Sequence, residues 1–261
     1  MQRQNKRNTD MTHIASHRGG SHLWPENSKF AFAETAKLEV EMVEFDVHQT
    51  RDSRLVVHHD ASIDRMTDGK GAIADLTYDE LMRHVILGTR GERIPTLGET
   101  IAIFEPSKVD LRLEIKTKAD GNAYEGMESR IAAELMLSGM LKRSMVTSFS
   151  LFRLEAFVEA LGMHGGKRED LLGLVWLCSP LLLTQLGSKG LLASLNAYDI
   201  REIALKADTI SAAVLDFWRG NGITVHGWAA HTREAAQAMF RLGVASFTTD
   251  RPDLAIAARP A

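Results

Sequence analysis

Cysteine is nearly absent: Cys178 is the single thiol in 261 residues. One thiol excludes an intramolecular disulfide framework and fits a reducing compartment. Its place in the apolar run Leu174-Val175-Trp176-Leu177-Cys178 reads as core packing. An excess of positive charge is also missing. The formal net charge is -3, which argues against a nucleic-acid binder, because such proteins carry a basic face and a high pI. Any phosphate recognition must therefore be local. No run approaches the roughly 18 consecutive apolar residues of a membrane-spanning helix. The polar opening MQRQNKRNTD lacks the apolar stretch of a secretory signal, so a cytoplasmic location is expected. Internal repeats, low-complexity tracts and an interdomain linker are absent too.

What is present is the makings of one large domain. The length lies close to the roughly 250 residues of a TIM barrel, and 44% hydrophobic with 25% charged residues is the composition of a globular protein with a sizeable core. β-like runs fall at 13–16, 42–47, 111–115, 144–147, 173–177, 191–195, 223–226 and 246–249. Between them, 28–38, 125–138, 151–161, 210–218 and 232–242 carry apolar residues at three- and four-residue spacing, as amphipathic helices do. This alternation predicts an α/β fold, a (β/α)8 TIM barrel over residues 12–261 behind a tail at 1–11. The segment at about 50–97 breaks the rhythm with a further β-like run at 54–58 and the turn-rich Asp68-Gly69-Lys70-Gly71. It reads as an insertion in the loop after the second strand, where barrels tolerate added length.

Glu44 and Asp46 stand two apart in the apolar strand Met42-Val43-Glu44-Phe45-Asp46-Val47, so both side chains leave the same face, about 6 to 7 Å apart. Two carboxylates on a buried face are costly unless a divalent cation neutralises them. Glu114 and Lys116 repeat the device at the end of another apolar strand, the end at which barrels place their active sites. Each pair alone has an ordinary reading, an exposed edge strand or a cross-strand ion pair; both together favour a site. His17-Arg18-Gly19-Gly20 follows the first strand. It offers an imidazole, a guanidinium suited to phosphate oxygens and glycines that permit close backbone approach. His58-His59-Asp60 ends the extra β-like run, and a histidine beside a carboxylate suits proton transfer near neutral pH. Pro25-Glu26-Asn27-Ser28 is a turn leading into a helix, with Asn27 or Ser28 as its N-cap.

The stretches HRGGSHLWPENSKFAF, VEFDVHQTRDSRLVVHHDASIDRMTDGKG, IPTLGE, LEIK and GVASFTTDRPDL resemble, in order and spacing, the landmarks of the glycerophosphodiester phosphodiesterase family. The likeness runs from about Ile14 to Leu254 and is loose at 150–222. It implies a metal-dependent hydrolysis of glycerophosphodiesters to sn-glycerol 3-phosphate and an alcohol. Glu44, Asp46 and Glu114 fall where the family binds one divalent ion, Mg²⁺ or Ca²⁺ with Mn²⁺ also acceptable. His17 and His59 fall on its general acid/base pair, and the position before Asp60 selects His59 over His58. Arg18 and Lys116 match its phosphate-holding positions, Glu26 and Asn27 the floor of the pocket, and Trp228 an apolar wall. The family's Trp-Thr-Val-Asn stretch appears here as Trp228-Ala229-Ala230-His231, a departure that bears on selectivity. Ser53-Arg54 also replaces a turn in the insertion. His22 and His48 are candidates for the layer behind the site. The implied partner is a small-molecule diester, without nucleic acid or membrane insertion, and the oligomeric state stays open. Cleavage of lysophospholipid or sphingolipid head groups on the same barrel is the alternative, and a non-catalytic homologue the remoter one. A barrel glycosidase would leave Glu114, the histidines and Arg18 without roles.

Overall fold

The computed structural model describes residues 11–260. The expected tail at residues 1–10 lies outside the described residues, and Met11 is exposed.

Alternation of apolar and polar side chains builds the sheet. β1 (His13–His17), β2 (Met42–Gln49), β3 (Leu55–Val57), β4 (Asp110–Ile115), β5 (Ser144–Ser148), β6 (Gly173–Leu177), β7 (Glu202–Lys206), β8 (Thr224–Trp228) and β9 (Ser246–Thr249) follow in chain order. Pairing runs β1-β9-β8-β7-β6-β5-β4-β2, and β2 pairs back with β1. All these pairs are parallel, so the sheet closes into an eight-stranded barrel. β3 lies outside the ring, antiparallel on β2. Around the barrel run α1 (Lys29–Thr35), α3 (Leu97–Phe104), α4 (Met127–Leu137), α5 (Leu151–Met163), α6 (Pro180–Ala197), α7 (Ala212–Gly220), α8 (Arg233–Leu242) and α9 (Pro252–Ala257), while the short α2 (Tyr78–Leu81) lies in the insertion. None of the described helices is long and apolar enough to cross a membrane.

The main core lies between strands and helices, where Val43, Phe45, Val47, Leu111, Leu113 and Ile115 face Ile101, Phe104, Ile131 and Leu135. The barrel interior is less apolar. Ala15, Met42, Met145, Val175, Leu177 and Ala204 form a small cluster there. Next to it, Arg112 donates to Ser246 Oγ at 3.1 Å, and His226 joins Ser246 at 2.7 Å to Glu202 at 3.1 Å.

One expected strand is corrected. Residues 191–195 are helical, part of α6, and the missing barrel strand is Glu202–Lys206. Leu191 and Leu195, four apart, are the buried residues of α6, which is the period of a helix face. In β7 Ile203 and Leu205 alternate at the period of a strand and are fully buried. Ser179 caps α6 and Pro180 occupies its first turn, two start signals preceding the leucine-rich run.

The insertion packs a core of its own from Val56, Ile63, Ile73, Leu81, Ile86 and Ile94. It is fastened to β2 by β3 and by the His58 N–H donating to the Asp46 carbonyl at 3.0 Å.

Candidate active site

Strand register assembles the acidic group. Glu44 pairs across the sheet with Arg112, and Asp46 with Glu114, so the three carboxylates rise on one inner wall toward the C-terminal mouth. Glu44, Asp46 and Glu114 are buried, with one oxygen from each lying within 4.8 Å of the others. Lys116 bridges Asp46 at 3.1 Å and Glu114 at 3.0 Å, and Arg18 Nε lies 3.6 Å from Asp46. These cations hold Asp46 well below the usual carboxylate range despite its burial. Glu44 goes the other way: burial, reinforced by the neighbouring Asp46 charge, pushes it up to about 7. Asp46 Oδ1 has a nearby ammonium but no directed hydrogen bond. Three buried carboxylates in mutual reach, one of them short of positive charge, are a donor set that fits a hard divalent cation.

Each histidine is presented by its own carboxylate. His17, at the end of β1, joins Asp250 Oδ1 through Nδ1 at 2.5 Å, leaving Nε2 3.7 Å from Glu44. Burial would lower its pKa, but Glu44 and the Asp250 hydrogen bond outweigh that and raise it. His59, at the start of the insertion, joins Asp60 through Nδ1 at 2.6 Å and is shifted down, chiefly by burial. Of the adjacent histidines it is His59 that lines the cavity, whereas His58 is buried against the Ser62 carbonyl at 3.1 Å. His48 stands behind, bridging the His59 carbonyl at 3.1 Å and Tyr124 Oη at 2.8 Å, and burial lowers it to about 4. His22 reaches Asp250 Oδ2 at 3.2 Å.

The cavity holds about 430 Å³, enough for a small polar ligand, and Arg18, Glu26, Lys116 and Trp228 line it along with both histidines. Asn27 does not reach it. It is buried and donates to Asp46 Oδ2 at 3.0 Å, so it positions a carboxylate rather than forming the pocket floor. Ser28, not Asn27, caps α1, accepting from Ala31 N at 3.1 Å. Arg18 and Ala229, both lining residues, have φ of 51° and 62°, backbone strain of the kind retained at ligand sites.

Three contributors, Asp250, Arg65 and Arg112, escape a reading of the sequence, while Asp60 was visible in it as the carboxylate beside His59. Asp250 sits at the end of the last strand, in the stretch GVASFTTDRPDL that resembles a family landmark, which marked the position but not its bond to His17. Asp60 and Arg65 are joined at 2.6 Å, and Arg65 also donates to Glu26 at 2.7 Å, linking the insertion to the residue that binds Arg18 at 3.2 Å. Arg112 forms part of the cavity wall from below. Its alternation with Glu114 in β4 was the available clue.

A closed parallel barrel whose mouth unites three buried carboxylates, two carboxylate-held histidines and two cations has the plan of a barrel phosphodiesterase. The comparisons with known proteins agree. The profile of the glycerophosphoryl diester phosphodiesterase family matches residues 17–254, and the chain belongs to that family. A crystal structure from Agrobacterium tumefaciens str. C58, carrying a glycerophosphoryl diester phosphodiesterase name, is 38% identical with a TM-score of 0.88, covering 95% of this chain and 96% of that one. The glycerophosphodiester phosphodiesterase of Caldanaerobacter subterraneus subsp. tengcongensis is 27% identical over 94% of this chain and 96% of its own length. An Oleispira antarctica phosphodiesterase, solved with the product sn-glycerol-3-phosphate, shares the fold at a TM-score of 0.77 and 22% identity, over 95% of this chain and 96% of that one.

Proposed function

We propose that this chain hydrolyses glycerophosphodiesters to sn-glycerol 3-phosphate and an alcohol. The observation that carries the reading is the matched pair of histidines, each bound through Nδ1 to a carboxylate, beside the buried acidic trio. Glu44, Asp46 and Glu114 would hold one divalent ion, Mg²⁺, Ca²⁺ or Mn²⁺. When bound, it supplies charge neutralisation at phosphoryl oxygens.

The residues of the chain do the rest. Arg18 and Lys116 bind the nonbridging oxygens and stabilise charge that builds there in the transition state. His59, its pKa lowered by burial, accepts the proton of the attacking oxygen, either that of water or that of the diester's own glycerol hydroxyl; in the second case water then opens the cyclic phosphate with the two histidines exchanging roles. His17, whose protonated form the Asp250 hydrogen bond favours, delivers a proton to the departing alkoxide. Each transfer contributes roughly 10² to 10⁴ in rate. Asp250 and Asp60 fix the ring orientations. Phe149, Leu177 and Trp228 form an apolar wall along the cavity.

The test incubates the purified protein with glycerophosphocholine, glycerophosphoethanolamine and lysophosphatidylcholine, with and without chelator. Released glycerol 3-phosphate is coupled to its dehydrogenase. Chelator-sensitive product from the first two substrates is expected. Absence of product from both sinks the reading, and turnover of lysophosphatidylcholine alone moves it to the lipid head-group alternative.

A further inference from the structure

His231 is one of two cavity histidines, with His22, that the proposed chemistry leaves unused, and its hydrogen bonding fixes what it offers. The backbone N–H of Asp250 donates to His231 Nδ1 at 3.0 Å. Two hydrogens cannot share that line, so Nδ1 is the bare nitrogen and the proton of the neutral ring resides on Nε2. The Asp250 carboxylate also lies 3.2 Å from Nδ1. His22 Nε2 lies 3.2 Å from its Oδ2 and His17 Nδ1 bonds its Oδ1, so groups other than His231 face the carboxylate. Burial lowers the pKa of His231, which favours the neutral ring. Thirty per cent of the side chain stays accessible, and the ring borders the cavity with its centroid 6.1 Å from that of His17 and 5.7 Å from that of His22.

The barrel order gives the cavity two unlike sides. β9, which leads into Asp250, stands across the ring from β5, which leads into Phe149. On the β9 side the wall is Ser21, His22, His231 and Asp250. On the opposite side it is Phe149 and Leu177, with Trp228 packed edge-on to Phe149 at 6.2 Å. A diester held at Arg18 and Lys116 therefore has a place for hydroxyls on one flank and for an apolar or weakly polar group on the other.

We propose that His231 is a specificity-determining residue, its Nε2–H donating to a hydroxyl of the polyol half of the diester and so directing that half to the β9 side. The inference rests on the glycerophosphodiester reading above, and two substitutions separate it from a role in merely bracing Asp250. His231→Asn retains an acceptor where Nδ1 stands and removes the Nε2 donor. His231→Gln carries an amide donor to the Nε2 position and gives up the Nδ1 acceptor.

The experiment measures kcat/KM for glycerophosphocholine and for bis(4-nitrophenyl) phosphate, which has no hydroxyl. In parallel, calorimetry gives the affinities for sn-glycerol 3-phosphate and methyl phosphate, with divalent ion present. In His231→Asn the preference for glycerophosphocholine over the nitrophenyl diester falls about tenfold, the value of one lost hydrogen bond. The preference for glycerol phosphate over methyl phosphate falls with it, and His231→Gln restores at least half of each on a logarithmic scale. Unchanged preferences in His231→Asn overturn the inference, as does an equal loss on both members of each pair, since that is the pattern of a bracing residue. If the wild-type protein fails to cleave glycerophosphocholine, the proposed function falls, while the two affinities still decide whether His231 reads a hydroxyl.

Discussion

Asp250→Asn is the most informative single change outside the acidic trio. In the folded protein the Asp250 carboxylate accepts from His17 Nδ1 at 2.5 Å and faces His22 and His231 at 3.2 Å each. His17 holds the carboxylate well below the usual range despite partial burial. The amide keeps the shape but removes the charge, and with its NH₂ group facing Nδ1 it leaves no acceptor for the Nδ1 proton, so the imidazolium form that donates from Nε2 loses its stabilising partner. A hydrogen bond to a charged partner contributes about 1.5–3 kcal/mol, so the loss corresponds to roughly 10- to 100-fold in kcat. The direction with pH is set by the same contact. Asp250 helps raise His17, a proton donor is active only while protonated, and its loss therefore moves the alkaline limb of kcat to lower pH. Stopped assays with glycerophosphocholine across pH 5.5–9, with a melting curve to establish folding, provide the measurement. A folded Asp250→Asn protein with kcat within threefold of wild type and an unmoved alkaline limb would refute the orienting role of Asp250.

Glu44 predicts a proton released on cation binding. A carboxyl raised to about 7 favours the fold in its protonated form, a contribution present below the unfolded pKa of about 4.3 and lost as pH rises through 7. The bound ion takes the ionised form, so Mn²⁺ affinity by calorimetry should climb about tenfold per pH unit below 7 and flatten above it; a pH-independent affinity contradicts this. Arg65→Ala unties Asp60 from Glu26 and should lower kcat about tenfold, with Arg65→Lys intermediate because an ammonium cannot reproduce the forked contact; equal kcat in all three proteins rejects the link. Gly19→Ala places a Cβ 3.0 Å from Ala31 Cβ at φ +79°. It should cost about 1–2 kcal/mol, read as a melting temperature several degrees lower, and an unchanged value would mean that the turn relaxes freely.

The acidic trio was legible because the pleat of a strand is a short-range rule. Glu44 and Asp46 share a face by being two apart, and no distant contact is needed to see it. The boundary between α6 and β7 was not legible in the same way. A leucine-rich run suits a buried strand and a buried helix alike, and only the four-residue spacing of Leu191 and Leu195 against the alternation of Ile203 and Leu205 separates them. Asp250 was hidden for another reason. Its bond to His17 spans 233 residues and exists because the last strand closes the ring against the first, a condition no local pattern records. Asn27 shows the converse: the family resemblance implied a place on the pocket floor, whereas the side chain is buried and donates to Asp46 Oδ2 at 3.0 Å.

The two carboxylate-held histidines come from different parts of the molecule, His17 from the barrel and His59 from the insertion after β2. An insertion of this kind resembles a module that could be exchanged between relatives to change what they accept. Here the exchange carries a passenger, because any replacement must also deliver a histidine in register with the barrel's own. Recombination at this loop is therefore constrained to donors that already contain the second half of the site, and chimeras cut at its two ends should inherit turnover and preference together.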